Sequence, residues 1–481
     1  KAQFISVFVS LACAVFLVAL DGTIVTTAIK AIGIEFGDFE SISWVGTGFL
    51  LTSTALTPAY GSFCDTFGRK PTFLAAILFF EIGSFICAIA PSMAWLIAGR
   101  AVAGIGGGGI FAVALIIISD IVSIRESGKY QGIIGAVFGL SSVVGPLAGG
   151  FFVDSLSWRW CFWINLPIGF ITIIITVLYL NFPTTGESVW SQIHRVDFLG
   201  TFLIIAASTS FLLPLQLGGS KWEWGATQTI VLFIASVVLC AVLVFIEVKV
   251  AKHPVIPPQV FENPSVYLLN VIAFLLGLSF ISLIFYVPTF FQLVNGSTAT
   301  SAGLSTIPLV FGLVALSILS GILISKYGSY KYWLFIGPAI LIVGQYLLST
   351  MDASSSRLIQ ILYLLIAGTG VGCFIQVRVY AIQASVKREN IAIATSVSNF
   401  MFNLGGTVGI AVSGTIFNNM LKSKLPAEIV AVVNARPELI PTLPNSDFVL
   451  EQIAKSLGSV YYFTMPITGL VIIFAFFVKE Y

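Results

Sequence analysis

The chain has 481 residues, of which 57% are hydrophobic and 9% charged, with a net charge of +2 and a mean hydropathy of +1.01. A soluble domain carries about 25% charged residues, so a water-facing surface is excluded for most of this molecule. The near-neutral balance also argues against a nucleic-acid partner.

A helix needs about 20 mostly apolar residues to cross roughly 30 Å of hydrocarbon. On that rule the sequence predicts an all-α membrane protein with fourteen spans, at 5–29, 43–63, 72–90, 94–119, 131–153, 161–181, 198–217, 226–248, 265–292, 302–325, 332–350, 358–384, 392–417 and 460–478. The first run lacks a basic leader and a small-residue cleavage site, and it continues into Asp21-Gly22-Thr23. It therefore reads as a span and not a signal peptide. Because Lys1 stands where Met would begin a chain, a preceding piece is expected.

Most Lys and Arg fall in loops on one side, among them Arg69, Lys70, Arg125, Lys129, Lys326, Lys331, Lys387 and Arg388. This basic side is expected to be cytoplasmic, with both termini inside. The opposite side carries Glu35, Asp38 and Glu40, and a polar outer loop at 418–459 that holds Pro426, Pro437, Pro441 and Pro444. That segment is too long for a tight connection; it is read as a solvated loop, with a small external cap as the alternative.

The chain repeats itself. Gly61-x-x-x-Asp65-x-x-Gly68 is echoed by Gly321-x-x-x-Ser325-x-x-Gly328, and Gly104-x-Gly106-x-Gly108 by Gly368-x-Gly370-x-Gly372. Two pseudo-symmetric six-helix halves explain the echo: residues 1–182 and 264–481, with two inserted helices and linkers in 183–263. Halves of this kind place a solute site at their interface.

Ionisable side chains inside spans are costly and usually functional. Asp21 lies 16 residues into the first span and Arg100 six residues into the fourth, about 24 Å and about 9 Å along their helices. Both therefore fall in the outer half and are expected to meet or to share a polar cavity. The alternative is a static ion pair bracing two helices. Glu81, alone in the third span, is a candidate for proton carriage or substrate contact, against a packing hydrogen bond. Arg378 either snorkels to the basic side or lines a cavity for a negatively charged solute. Asn399 and Asn403 share a helix face, and with Thr23 they complete the candidate cavity lining.

Gly61, Asp65, Gly68, Arg69 and Lys70 form a short basic-side connection expected to act as a gate. Gly61 would permit close helix approach, Gly68 a sharp reversal, and Asp65 a pairing with Arg69. Gly139, Gly145, Pro146, Gly149 and Gly150 predict tight packing and a bend in the fifth span. Asn295-Gly296-Ser297 is a candidate glycosylation sequon.

Several chemistries are excluded. Gly104–Gly109 fits G-x-G-x-x-G, but it lies inside an apolar span with no preceding strand, so no dinucleotide is expected. Cys13, Cys64, Cys87, Cys161, Cys240 and Cys373 lack C-x-x-C spacing and read as buried thiols, with no metal and no cofactor. His194 and His253 fall in loops, which leaves carboxylates to carry any protons.

The 61–71 stretch, G-x-x-x-D-x-x-G-R-K, resembles the loop motif of the major facilitator superfamily. Leu20-Asp21-Gly22-Thr23, Arg100-x-x-x-Gly104-x-Gly106, Gly145-Pro146-x-x-Gly149-Gly150, Trp158-Arg159-Trp160 and Asn165-Leu166-Pro167 resemble its fourteen-span drug:proton antiporter branch, especially fungal members. The resemblance implies the rocking two-half fold and proton-driven export of a small amphipathic drug or toxin-like metabolite. It associates the 139–150 segment with antiport. No enzymatic activity is expected, because no nucleophile–base or metal-ligand cluster is visible. The chain departs from the pattern at Ala28-Ile29-Lys30, where A-L-P is usual, and at Ser325, where the second-half loop lacks its acid. The expected protein is a monomer in the plasma or vacuolar membrane. An amino-acid or siderophore transporter is the alternative within transport, and a non-transporting nutrient sensor the alternative of another class.

Overall fold

Lipid offers no partner to an open backbone group, so long apolar runs fold as helices. A computed structural model describes residues 2–38, 41–182, 196–218, 222–251, 254–435, 440, 442–443 and 445–480, and no β-strand occurs among them. His194 and His253 lie outside the described residues.

The early helices are α1 (Ala2–Phe36), α2 (Ser43–Phe67), α3 (Arg69–Ala88), α4 (Met93–Ile121), α5 (Ile124–Ser155), α6 (Trp160–Trp163) and α7 (Asn165–Tyr179). Two more follow, α8 (Phe198–Leu217) and α9 (Thr227–Lys249). The rest are α10 (Pro264–Leu293), α11 (Ala299–Ser305), α12 (Ile307–Tyr327), α13 (Trp333–Ser349), α14 (Arg357–Phe374), α15 (Val377–Ala384), α16 (Ile391–Lys424), α17 (Ala427–Ala435) and α18 (Ser446–Phe477). Serine hydroxyls cap several starts. Ser92, Ser123 and Ser356 accept from the amides of Trp95, Glu126 and Ile359, and so satisfy donors that a helix leaves open.

Among the described residues twelve helices are long and apolar enough to cross a membrane. Two further expected spans fall short of that measure for local reasons. The helix α13 has only 17 residues, and α2 carries Thr47, Thr52, Ser53, Thr54, Thr57 and Ser62 among its 25. The large side chains left exposed on α3, α7 and α9, such as Leu78, Phe170 and Val237, are what a lipid-facing surface requires. Cys240 on α9 is exposed too, which corrects the expectation that every cysteine is buried. Its helix packs on α8 and offers the rest of its surface outward.

Buried apolar side chains form three clusters. One draws on residues 260–478, another on 24–162, and the third on 7–180 together with Val379 of α15 and Ala392 of α16. Those two late residues lodge in an early core at the basic side. The glycine echo also recurs in the packing. A Cβ on Gly104 of α4 would lie 2.4 Å from the Phe49 carbonyl oxygen of α2, and one on Gly368 of α14 1.9 Å from that of Leu309 on α12. Gly106 approaches Ala76 and Phe80 of α3 as Gly370 approaches Leu341 of α13.

Most of the described residues in 418–459 are helical, which corrects the expectation of a solvated loop there. The helix α16 runs on to Lys424, Pro426 directly precedes α17, and α18 begins at Ser446. Ile429, Val430 and Val433 share one face of α17, and the last two are buried with Leu425 and Val449. A short amphipathic helix was hidden by the prolines around it.

Candidate functional site

The most buried charges lie where α1, α4 and α7 meet. Asp21 is 0% and Arg100 2% exposed, and Arg100 Nη1 donates to Asp21 Oδ2. Arg100 Nε donates to the Val45 carbonyl at 2.9 Å, and its guanidinium lies 4.4 Å from the Phe49 ring centroid. The second carboxylate oxygen of Asp21 accepts from Asn165 Nδ2 at 3.3 Å, and the same amide donates to Ser84 Oγ at 3.1 Å. Two donors on two helices thus fix one carboxylate in a dry setting, where each contact is stronger than in water.

Glu81, one turn before Ser84 on α3, packs where Gly169 of α7 leaves room for it. Neither of its oxygens finds a hydrogen-bond partner among the described residues. The packing hydrogen bond expected as its alternative role is therefore not formed.

The helix α5 links this cluster to the later helices. A Cβ on Gly145 would lie 2.0 Å from Thr23 Oγ1, and one on Gly149 2.2 Å from Thr27 Oγ1, so α1 and α5 touch backbone to side chain. Thr23 Oγ1 also donates to the Ser141 carbonyl at 3.3 Å. The other face of α5 meets α11 and α12: Gly139 lies against Val314, Pro146 against Gly303, and Gly150 against Thr300. One helix, lined with small residues, contacts both sets.

On the basic side the residues expected to form a gate come together. A Cβ on Gly61 would stand 2.8 Å from Ile393 Cα, so α2 and α16 meet almost backbone to backbone. Gly68 takes φ +89° at the turn between α2 and α3, a conformation that favours glycine. Arg69 Nη1 reaches Asp65 at 3.0 Å, and its Nε reaches Asp120 of α4 at 2.7 Å. Lys70 Nζ donates to the Val177 carbonyl of α7 at 2.7 Å. Deeper, Gln131 Nε2 of α5 donates to Gln383 Oε1 of α15 at 2.7 Å, and Gln383 Nε2 donates to Thr395 Oγ1 of α16 at 3.1 Å. These contacts tie the early helices α2 and α5 to the late helices α15 and α16 at the basic end. At the other end of α2 a Cβ on Gly46 would meet open space, and Gly22 and Thr26 on α1 are exposed.

Asp120 ends α4, where an edge charge is tolerated without a partner and draws no notice in the sequence, yet it shares Arg69 with Asp65. Sequence reasoning also passed over Ser84, Gln131 and Gln383, although lone polar side chains within spans were the available signal. We expect Asp120→Asn to slow solute flux several-fold with little loss of folded protein, measured as initial rate per milligram in reconstituted vesicles.

Arg378 does not snorkel. It is 2% exposed, donates from Nη1 to Ser398 Oγ at 2.8 Å and from Nη2 to Asn399 Oδ1 at 3.2 Å, and lies 4.5 Å from the Phe402 ring centroid. Asn403, a turn further along α16, accepts from Thr407 Oγ1 through its backbone carbonyl. Asn295 is exposed just past the end of α10.

At the opposite end of α1, Glu35 accepts from Arg159 Nη1 at 2.7 Å and from Trp158 Nε1 at 2.6 Å. Burial pushes against its charge, but these two hydrogen bonds hold its carboxyl below the usual range. A depressed carboxyl stabilises above its unfolded value and loses that effect as pH falls through the folded one. The pair is partly exposed, so Arg159→Ala is expected to cost under about 1 kcal/mol of stability, read from thermal unfolding in detergent.

Residues 11–410 match the Major Facilitator Superfamily. The chain belongs to that family. It is 38% identical over 435 residues to the MFS-type efflux pump MFS1 of Trichophyton rubrum, covering 90% of this chain and 80% of that one. It is 36% identical over 425 residues to the efflux pump aflT of Aspergillus parasiticus, covering 87% and 82%. Two solved structures share the fold at 12% identity. The human organic anion transporter MFSD10 (TETRAN) gives a TM-score of 0.64, covering 96% of this chain and 99% of that one. The proton:xylose symporter XylE gives 0.65, covering 100% and 96%. This facilitator is thus an integral multi-pass membrane transporter for a small molecule and not an enzyme.

Proposed function

We propose that this facilitator is a proton-coupled antiporter that exports a small amphipathic compound from the cytoplasm. The observation that carries the reading is the fully buried Asp21, held by Arg100 and Asn165 on the helix whose next turn packs on α5. A proton arriving at Asp21 removes the charge that Arg100 and Asn165 hold, and so loosens α1 from α4 and α7. Thr23, two residues on, transmits the change to Gly145 and the α5–α12 contact. Glu81, beside the Asn165–Ser84 link and without a hydrogen-bond partner among the described residues, is the second proton-carrying position.

The architecture in this reading is two six-helix halves, 1–182 and 264–481, with two inserted spans, fourteen in all. The matching contacts of Gly104 with α2 and Gly368 with α12 support the repeat. The polar α2 and the short α13 supply the two spans beyond the twelve. The Lys and Arg excess makes the basic side, shut by the α2–α16 and α5–α15 contacts, cytoplasmic, with both termini there, so the conformation faces outward. The protein acts as a monomer in the plasma or vacuolar membrane.

The efflux-pump names of the relatives support export. Nothing in them favours amino-acid or siderophore transport. A nutrient sensor would have no use for a buried charge relay and a packed gate.

Reconstituted protein tested against a panel of aromatic amphipathic compounds under an imposed pH gradient decides the matter. Uphill movement of a panel member is the expected result. Flux indifferent to the gradient would refute coupling, and no flux under any gradient would refute transport.

A further inference from the structure

Arg378 is a cation buried without a counter-ion. Among the described residues it forms no ion pair with a carboxylate. Its visible partners, Ser398 and Asn399, are neutral. Desolvating such a charge costs several kcal/mol when nothing repays it, so an unpaired example within the bundle calls for an explanation. Two donors at the same spot are also unfilled: Arg378 Nε and Asn399 Nδ2 are buried with no hydrogen-bond partner among the described residues, and Asn399 is 2% exposed.

The cluster lies just above the basic-side seal. Asn399 is six residues along α16 from Ile393, which meets Gly61, so it stands about 9 Å above that contact. Arg378 is five residues from Gln383 on the other sealing helix, about 7.5 Å above its bond to Gln131. On the open-side flank the Phe402 ring covers the guanidinium and leans on Phe280 at 6.2 Å. Met401, Phe402 and Asn403 are all partly exposed. The arrangement is a floor with a fixed positive charge, two free donors and an aromatic wall.

We infer that Arg378, Asn399 and Phe402 form a recognition site for the anionic oxygen group of an aromatic acid, a carboxylate or phenolate on the transported compound. The inference rests on the transport reading and adds the charge of the solute to it. An arriving anion supplies the missing counter-charge, accepts from Nε and Nδ2, and stacks its ring on Phe402. The Asp21–Arg100 pair, already neutral as a unit, offers no such place.

The probe is 2-naphthoate against its uncharged methyl ester, with ligand-induced rise of the unfolding midpoint of the full chain in detergent as the readout. Wild type is expected to bind the acid at least about tenfold more tightly than the ester, as one charge-assisted hydrogen bond would give. Arg378→Gln should erase that preference. Arg378→Lys, which keeps the charge but not the fork, should retain part of it and serves if the glutamine variant fails to fold. Equal binding of acid and ester by wild type, no binding of the acid, or a preference that survives in both variants would overturn the site. None of these would touch the transport reading, which gradient-driven flux of neutral compounds tests separately.

Discussion

Asp21→Asn is expected to abolish uphill, gradient-driven movement of solute while leaving one-for-one solute exchange across the vesicle membrane intact. The amide matches the carboxyl in size and keeps a hydrogen bond to Arg100 or Asn165, so the helices stay in register. It cannot gain or lose a proton, and coupling has no other fully buried acid paired with a cation among the described residues. Arg100→Ala is the harsher change, because it strands a charged carboxylate 0% exposed to water. Breaking a buried pair in this way costs about 3–5 kcal/mol, against under about 1 kcal/mol for the partly exposed Glu35–Arg159 pair. Thermal unfolding of Arg100→Ala and Arg159→Ala side by side should show that ordering. An exchange activity lost together with uphill transport in Asp21→Asn would mean that the pair braces the helices and does not couple.

Gly61→Val is expected to hold the basic side open. The first added carbon would already stand 2.8 Å from Ile393 Cα and 3.0 Å from the Ala392 carbonyl oxygen. Both obstacles are backbone, so α2 and α16 must part. Overpacking of this kind costs about 1–3 kcal/mol, and here the strain is relieved by leaving the shut conformation. Ser396, 0% exposed and facing the same contact, reports the change. A cysteine placed there should be protected from a membrane-impermeant thiol reagent in the parent and modified several-fold faster in Gly61→Val, relative to each protein with Ser396 retained. Equal rates in both backgrounds would show that this contact does not control closure.

Much of this was legible in the sequence because lipid makes charge expensive. Asp21, Arg100 and Glu81 stood out as ionisable residues inside apolar runs, and the first two do meet. The gate loop was legible for the same reason, since its acid, bases and glycines sit in so short a connection. What was missed lay at edges and in neutral polar side chains. Asp120 ends α4, where a charge needs no partner to be tolerated, so its bond to Arg69 left no trace in hydropathy. Asn165 was visible only as part of a motif, while its bridging of Asp21 and Ser84 depends on three helices meeting. For Arg378 the sequence left snorkelling and cavity lining open, because the Ser398 and Asn399 contacts that rule out the first come from another helix. The prolines between 426 and 444 masked the amphipathic α17.

The central claim is that solute and proton move in opposite directions through one cycle. Vesicles containing the protein and a trapped pH-sensitive dye, given an outward gradient of a transported compound at equal starting pH, test it most directly. The lumen is expected to acidify as solute leaves, and Asp21→Asn to release solute with no pH change. Solute efflux from the wild type with a steady lumenal pH, or with alkalinisation, would contradict it.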